Sequence, residues 1–208
     1  DRSSAASDVY KRQIFDIGNV LVRWDPRYLY QNVIRDEAEL ETFLKDVVTL
    51  EWHTANDAGL PMREGVRRLS EQFPHYAHEI DLFRTRWFET IGPVIEGSVE
   101  LLEAIHKAGL PLFGLTNFSA ETYPRFAQDY PFMDLFKDVL VSGEVGMVKP
   151  EPRIFSLAIQ RFNINPQHCL FIDDRPSNIE AAKATGLQTH LFNNPELLEL
   201  ELKKLGVI

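Results

Sequence analysis

The stretch Arg12–Pro26, RQIFDIGNVLVRWDP, contains an apolar run that stops at a carboxylate, and this feature decides the fold. The residues before Asp16 have the composition of a buried strand, and Gly18 and Asn19 then indicate a turn. In open parallel sheets, ligands bind beyond the carboxyl ends of the strands. Asp16 is therefore a candidate functional group at the end of a first strand.

Four more short apolar runs have the same strand-like character and alternate with helix-like segments. They are LPLFGL before Thr116, DVLVS after Lys137, HCLFI before Asp173 and QTHLF after Leu187. Between them lie segments with helical spacing, such as SVELLEAIHKAG, which ends at a glycine. This alternation predicts an α/β fold, a Rossmann-like parallel sheet in a three-layer α/β/α core.

The segment from Pro26 to Gly92 departs from this alternation, because its apolar residues have helical spacing only. A crossover of about 65 residues is too long for a simple connection and indicates an inserted subdomain. We therefore predict a disordered tail over residues 1–8, an α/β core over residues 9–25 and 93–208, and a helical cap over residues 26–92. Within the cap, NDAGLP (Asn56–Pro61) is typical of a turn between helices.

Charge and composition restrict the partners of the chain. The net charge is −9 and no basic cluster is present, which argues against a nucleic-acid partner. No apolar stretch is long enough to span a membrane, so no membrane partner is expected. The single cysteine, Cys169, lies in an apolar run and indicates a buried thiol in a reducing cytoplasm. The sequence leaves the oligomeric state open.

Polar residues stand at or just after the ends of several predicted strands: Asp16, Thr116 and Asn117, Lys149, and Asp173 and Asp174. Each alone has an ordinary explanation as a turn residue, a helix cap or a solvated side chain. Together they predict one convergent site. Crowded carboxylates hold a hard cation such as Mg²⁺, and one of them can attack an electrophile. A hydroxyl and a lysine can then stabilise charge on a transferred group.

In this order, the motifs resemble those of the haloacid dehalogenase superfamily, in particular its capped, sugar-phosphatase-like members. FDIGNVLV resembles the first motif and implies that Asp16 is the nucleophile. GLTN resembles the second, with Thr116 as the phosphoryl-binding hydroxyl and Asn117 beside it in the substrate site. GMVKPEPRIF is similar to the third and implies a catalytic role for Lys149.

FIDDRPSNIEAA resembles the fourth motif. Together with the first motif, it implies a metal site formed by Asp16, the Gly18 carbonyl, Asp173 and Asp174. It also implies the activity of a Mg²⁺-dependent hydrolase acting through an aspartyl phosphate. The expected substrate is a small phosphorylated metabolite, a phosphate monoester such as a sugar phosphate.

Gly18 departs from the family's phosphatases, which usually have a second aspartate at this position. That aspartate protonates the leaving alcohol and then activates water, and general acid–base help of this kind is worth roughly 100- to 10,000-fold in rate. Glycine can do neither, although it permits unusual backbone conformations or simply eases a turn. His53 in the cap is a candidate replacement, while ordinary packing is the commoner role of such a histidine.

Residues near the start of the predicted cap are candidates for binding the substrate: Arg23, Trp24 and His53. An aromatic wall with a few polar groups is typical of a small-molecule pocket. Tryptophans in amphipathic helices also pack into cores, so this second explanation stays open for Trp24.

Two alternative functions remain. The first is a metal-independent 2-haloacid dehalogenase in which Asp16 displaces halide. That branch typically has an aromatic residue at the Gly18 position and no adjacent acids such as Asp173 and Asp174. The second is a non-catalytic member that binds a phosphoryl ligand, although simple binding does not require a nucleophile.

Overall fold

The strands form a parallel sheet and a separate two-stranded ribbon in the computed structural model, which describes residues 12–208. The predicted tail over residues 1–8, and the start of the core at residue 9, lie outside the described residues. The strands are β1 Arg12–Phe15, β2 Val22–Trp24, β3 Ile91–Val94, β4 Leu112–Thr116, β5 Phe136–Val141, β6 Cys169–Asp173 and β7 Gln188–Leu191. The parallel sheet has the order β5-β4-β1-β6-β7, which confirms the predicted Rossmann-like α/β fold.

Helices occupy most of the remaining chain. They are α1 Arg27–Tyr30, α2 Glu37–Thr42, α3 Leu50–Asp57, α4 Met62–Gln72, α5 Ala77–Arg86, α6 Glu96–Lys107, α7 Tyr123–Asp129, α8 Ser142–Val145, α9 Pro152–Arg161, α10 Pro176–Ala184 and α11 Pro195–Lys204. Short 3₁₀ or π turns extend or connect several of them. Within residues 12–208, every helix is too short or too polar to cross a bilayer.

Alternate residues of the central strands pack on opposite faces of the sheet. Ile14, Phe113 and Phe171 lie in one buried cluster, together with apolar residues of α9 and α10. Phe15 and Leu170 belong to the other cluster, with apolar residues of α6 and α11. Because both faces are covered, the central strands β4 and β6 are apolar up to their last residues, Thr116 and Asp173, and Asp16 directly follows β1.

The register of the central strands brings those ends together. Phe15 is opposite Gly114 of β4 and Ile172 of β6, and the Asp16 N–H extends the second ladder by donating to the Ile172 carbonyl at 2.9 Å. Asp16 therefore lies in the middle of the sheet's carboxyl edge, between the ends of β4 and β6.

The long connection between β2 and β3 is helical, and we call its residues 27–90 the insert. The prediction of helical structure up to Gly92 was wrong at its end, because β3 begins at Ile91 and pairs antiparallel with β2. The predicted boundary between residues 92 and 93 falls inside this ribbon. A side chain at Gly92 would approach the Tyr28 ring within 2.4 Å, so glycine allows the ribbon and α1 to pack closely.

Cys169 is fully buried at the start of β6, as the sequence predicts. Burial raises the pKa of its thiol to about 12, so the reactive thiolate is disfavoured. Cys169 therefore has the properties of a packing residue.

Candidate active site

A cavity of about 310 Å³ lies between the carboxyl edge of the sheet and the insert. The sheet side of the cavity is lined by predicted site residues: Asp16, Gly18, Thr116, Asn117, Lys149 and Asp174. Asp16, Thr116 and Lys149 are buried. Lys149 follows the short helix α8, and the other residues come from strand ends or the loops that directly follow a strand. The structure therefore brings the residues of the four motifs to one place.

Asp16 has one carboxylate oxygen held and the other free. Its Oδ1 accepts hydrogen bonds from the Ile17 main-chain N–H at 2.7 Å and forms an ion pair with Lys149 Nζ at 2.8 Å. Among the described residues, no hydrogen-bond donor reaches Oδ2. Burial raises the pKa of Asp16 to about 8, a shift that Lys149 opposes and Asp173 reinforces. A cation close to Asp16 would favour its ionised form.

Lys149 lies between two carboxylates at the floor of the site. Its Nζ is 2.8 Å from Asp16 Oδ1 and 2.7 Å from Asp173 Oδ2. Burial disfavours the charged form, but the two carboxylates outweigh burial and raise the pKa of Lys149 above its ordinary value. The lysine therefore supplies a fixed positive charge beside Asp16.

Asn117 positions the main chain of Lys149. Its Oδ1 accepts from the Lys149 N–H at 2.8 Å, and its Nδ2 donates to the Lys149 carbonyl at 2.9 Å. The sequence predicted Asn117 as a substrate-binding residue. It does line the cavity, but its amide is engaged with the loop that carries Lys149.

Asp173 and Asp174 differ in how many partners they already have. Each oxygen of Asp173 accepts two hydrogen bonds: Oδ1 from the Arg175 N–H and Asn178, and Oδ2 from Lys149 and Asn178. Asp173 is fully buried, whereas Asp174 is half-buried and lines the cavity. Burial, together with the charge of Asp173, raises the pKa of Asp174.

A hard divalent cation fits this group of acids. One oxygen from each of Asp16, Asp173 and Asp174 can be chosen so that all three lie within 4.8 Å of one another. All the donors are carboxylate oxygens, the ligands that Mg²⁺ prefers. Because the oxygens of Asp173 are already engaged, Asp16 and Asp174 have more capacity to bind a cation.

Gly18 is not required by the backbone. The left-handed residue of this turn is Asn19, with φ 56°, while Gly18 is not among the residues with positive φ. Of the two explanations considered for Gly18, an unusual backbone or an eased turn, the first does not hold, because Asn19 and not Gly18 adopts the left-handed conformation. A Cβ atom at Gly18 would have no atom within 4 Å beyond its chain neighbours, so the site has space where a side chain could stand.

Aromatic side chains form much of the cavity wall contributed by β2 and the insert. Trp24, Phe83 and Trp87 line the cavity together with His53. The His53 ring packs against Trp24, with 5.2 Å between the ring centroids, and against Phe83 at 4.8 Å. Burial lowers the pKa of His53 to about 3, opposed in part by the Val48 carbonyl, so the ring is neutral at pH 7.

Arg23 does not belong to the cavity. The sequence placed it with Trp24 as a candidate for binding the substrate, but its side chain is exposed and is not part of the lining. Neighbouring residues of a strand point to opposite sides, and in β2 this directs Trp24 towards the cavity and Arg23 away from it.

Asp57 lines the cavity, although sequence reasoning did not single it out as a site residue. It is the last residue of α3, whose end matches the predicted turn in NDAGLP. Burial raises the pKa of its carboxyl group to about 7, and the charge of Lys149 opposes the shift. An acid two residues before a glycine in a turn-like segment resembles a solvated residue, so only the tertiary structure reveals its position.

Comparison with known proteins identifies similar hydrolases and phosphatases. A family model described as haloacid dehalogenase-like hydrolase matches residues 10–186. Sesquiterpene phosphatase astK from Aspergillus oryzae is 23% identical over 184 residues, which cover 86% of this chain and 87% of that protein. Phosphoglycolate phosphatase from Escherichia coli is 29% identical over 148 residues, or 69% of this chain and 56% of the relative. The chain thus spans about half the length of that relative.

A solved structure has the same fold. It is a haloacid dehalogenase family enzyme from Bacteroides thetaiotaomicron, in complex with magnesium and inorganic phosphate. The TM-score is 0.65 at 22% sequence identity, and the alignment covers 88% of this chain and 94% of that one.

Proposed function

Because this chain belongs to the haloacid dehalogenase-like hydrolase family, we propose that it is a Mg²⁺-dependent phosphatase of small phosphate monoesters. The observation that carries the proposal is the state of Asp16, which lines the cavity: its Oδ1 is fixed by Ile17 and Lys149, while no donor within residues 12–208 engages its Oδ2. A carboxylate held in this way is oriented for nucleophilic attack.

The first chemical step is attack by Asp16 Oδ2 on the phosphorus atom, in line with the departing alcohol oxygen. The bond from phosphorus to the alcohol oxygen breaks and an aspartyl phosphate forms. Thr116 and Lys149 line the same floor and stabilise the phosphoryl oxygens, the hydroxyl by hydrogen bonding and the ammonium group by its charge. Water then hydrolyses the aspartyl phosphate and restores Asp16.

Asp16, Asp174 and the Gly18 carbonyl would hold the Mg²⁺ ion, which when bound offsets negative charge on the phosphoryl group. This assignment refines the sequence expectation, in which Asp173 was also a ligand. Asp173 is engaged by Lys149, Asn178 and the Arg175 N–H, so its role is to orient the lysine.

The size and lining of the cavity limit the substrate. A volume of about 310 Å³ accommodates a small phosphorylated metabolite under the insert, which acts as a cap. Trp24, Phe83 and Trp87 give the wall an aromatic character. The leaving alcohol that fits best therefore presents an apolar face or a ring.

The test is phosphate release from a panel of small phosphate esters, including 4-nitrophenyl phosphate and sugar 1-phosphates. We expect release with Mg²⁺ and none with a chelator. Asp16→Asn removes the nucleophile and should reduce turnover to background without unfolding the protein, as circular dichroism would show. Asp129→Asn, an exposed acid that pairs with Arg125 on α7, is the matched control and should keep full activity.

Other outcomes would contradict the proposal. Wild-type activity in Asp16→Asn would exclude this residue as the nucleophile. Chloride release from 2-chloropropionate without metal, in place of phosphate release, would identify a haloacid dehalogenase. If neither phosphate nor chloride is released, a protein that only binds its phosphorylated ligand is favoured.

A further inference from the structure

The carboxylates that line the cavity divide according to the tasks they already have. Asp16 and Asp174 lie with the candidate metal ligands. Asp25 is engaged just before α1, where its Oδ1 accepts from the Arg27 N–H at 2.8 Å. Asp57 has no such task, since among residues 12–208 no hydrogen bond or ion pair involves its carboxyl group. It comes from the insert, whereas Asp16 comes from the sheet.

The position of Asp57 is fixed through its main chain. Ser142 Oγ donates to the Asp57 carbonyl at 2.6 Å and accepts from the Phe118 N–H at 2.9 Å. Phe118 follows shortly after Thr116, so the same serine contacts the end of α3 and the loop after β4. The Asp57 carboxyl group is therefore held at the cavity by a direct link between the insert and the catalytic loop.

The chemical state of Asp57 suits exchange of a proton. Burial raises the pKa of its carboxyl group to about 7, although the positive charge of Lys149 opposes the shift. Near neutral pH the group is available both as an acid and as a carboxylate, which is the condition for acid–base catalysis. Asp16 and Lys149, by contrast, are tied to each other in an ion pair.

His53 is the other titratable side chain that the insert brings to the cavity, and it does not fit the same task. Its ring lies among Trp24, Trp52 and Phe83, with centroid distances of 4.8 to 5.2 Å. At neutral pH it has no proton that it can give up as an imidazolium ion, because burial keeps it neutral. Its contacts are those of a packing residue.

We propose that Asp57 is the general acid and base of the reaction and replaces the carboxylate that Gly18 lacks. The inference rests on the proposed phosphatase function. As Asp16 attacks phosphorus and the bond to the leaving oxygen breaks, the Asp57 carboxylic acid gives its proton to that oxygen. The resulting carboxylate then takes a proton from the water that attacks the aspartyl phosphate. Asp16 leaves as a carboxylate, inorganic phosphate is released, and Asp57 is again protonated.

The experiment compares two aromatic esters of similar size under Mg²⁺. The leaving group of 4-nitrophenyl phosphate departs easily, whereas that of benzyl phosphate needs a proton. Asp57→Asn should lower kcat/KM for benzyl phosphate by roughly 100-fold or more, and for 4-nitrophenyl phosphate by less than about 10-fold. With 4-nitrophenyl phosphate it should also give a burst of one nitrophenolate per active site, because the second step loses its base.

Glu51→Gln is the matched control, since Glu51 is an exposed acid on the same helix and does not line the cavity. It should behave as wild type with both esters. If Asp57→Asn does not fold by circular dichroism, Asp57→Ala removes the same carboxyl group and replaces it in the comparison.

The outcomes separate the two proposals. If the wild-type protein hydrolyses neither ester, the phosphatase function itself fails. If the wild type is active and the Asp57 variant loses equal activity towards both esters, or loses none, the acid–base role is overturned. A loss selective for benzyl phosphate supports it, because a merely structural role would not depend on the leaving group.

Discussion

Gly18 leaves room beside Asp16, and the backbone does not demand a glycine there. An added Cβ meets no neighbouring atom, and the turn is made by Asn19 in the left-handed conformation. The fold would therefore accept a carboxylate side chain at position 18, and its absence there changes the chemistry of the site. Space at this position allows the leaving group to approach an acid from the insert.

Gly18→Ala should leave the free energy of unfolding unchanged or raise it by about 0.5 kcal/mol, because alanine restricts the unfolded chain. Urea titration measures this change in stability. Gly18→Asp should accelerate hydrolysis of benzyl phosphate, and the increase in kcat/KM should reach about 10-fold or more when it is combined with Asp57→Asn. Strong destabilisation by Gly18→Ala would show that the folded protein has no room for a side chain at position 18.

The residues of the four motifs were predictable because most of them stand at or directly after a strand of recognisable composition, and parallel strands end at one edge. Lys149 follows the short helix α8 and was predictable only from the resemblance of its motif. Asp57 was not predictable in the same way. Its neighbours Asn56 and Gly59 indicate a turn, where acids are usually solvated. Its burial comes from packing of the insert over the sheet, which no local pattern records.

At the scale of the elements, α3 has little amphipathic pattern and yet contributes several groups to the cavity. Thr49 caps its start, accepting from the Trp52 N–H at 3.2 Å, and His53, Asn56 and Asp57 lie along its inner side. Packing against aromatic rings, rather than a continuous apolar stripe, holds the helix in place. Such a helix carries polar groups into a partly dry site at a cost in stability.

His53 allows the stability cost of a buried polar group on α3 to be measured. Its pKa is about 3 in the folded protein and 6.5 when unperturbed, so below pH 6.5 the unfolded chain binds the extra proton. The stability that His53 contributes is thus present above pH 6.5 and is lost as the pH falls towards 3, by about 2 kcal/mol or more at pH 4.5. Urea titrations at pH 7 and 4.5 should show a smaller decrease for His53→Gln than for wild type.

His78→Gln is the control for this comparison, because His78 is exposed on α5 and should not change the pH dependence. An equal decrease in wild type and His53→Gln would mean that His53 is solvated in the folded protein.

The β2–β3 ribbon was the element that sequence patterns missed. Its strands have only three and four residues, and one of them contains Gly92 and Pro93, which are disfavoured in strands. Their pairing joins segments on either side of the insert, so no local periodicity could reveal it. The strands of the sheet, whose short apolar runs alternate with helical segments, were predicted correctly.

At the scale of the whole molecule, two contacts tie the insert to the core beside the cavity. Ser142 bonds the Asp57 carbonyl, and Glu121 Oε1 accepts from the Met62 N–H at 2.9 Å. Close packing reinforces the first contact, since a side chain at Gly143 would approach the Ala120 nitrogen within 2.5 Å. The cavity therefore depends on both parts of the chain.

Ser142→Ala should lower the free energy of unfolding by about 1–3 kcal/mol, because the buried Phe118 N–H loses its acceptor. It should also lower kcat, since the end of α3 is released from the core. Ser156→Ala, an exposed serine on α9, is the control and should change neither quantity. Wild-type stability in Ser142→Ala would show that this link is unimportant.

The antiparallel β2–β3 ribbon has a consequence for the history of such chains. Because the polypeptide leaves and re-enters the core through two paired strands, the points of departure and return lie side by side. A segment joined to a scaffold at adjacent points can be lengthened, shortened or exchanged without shifting the scaffold. Selection can thus remodel the insert for a new metabolite, and under our proposal even place a proton donor on it, while the strand that precedes Asp16 stays unchanged.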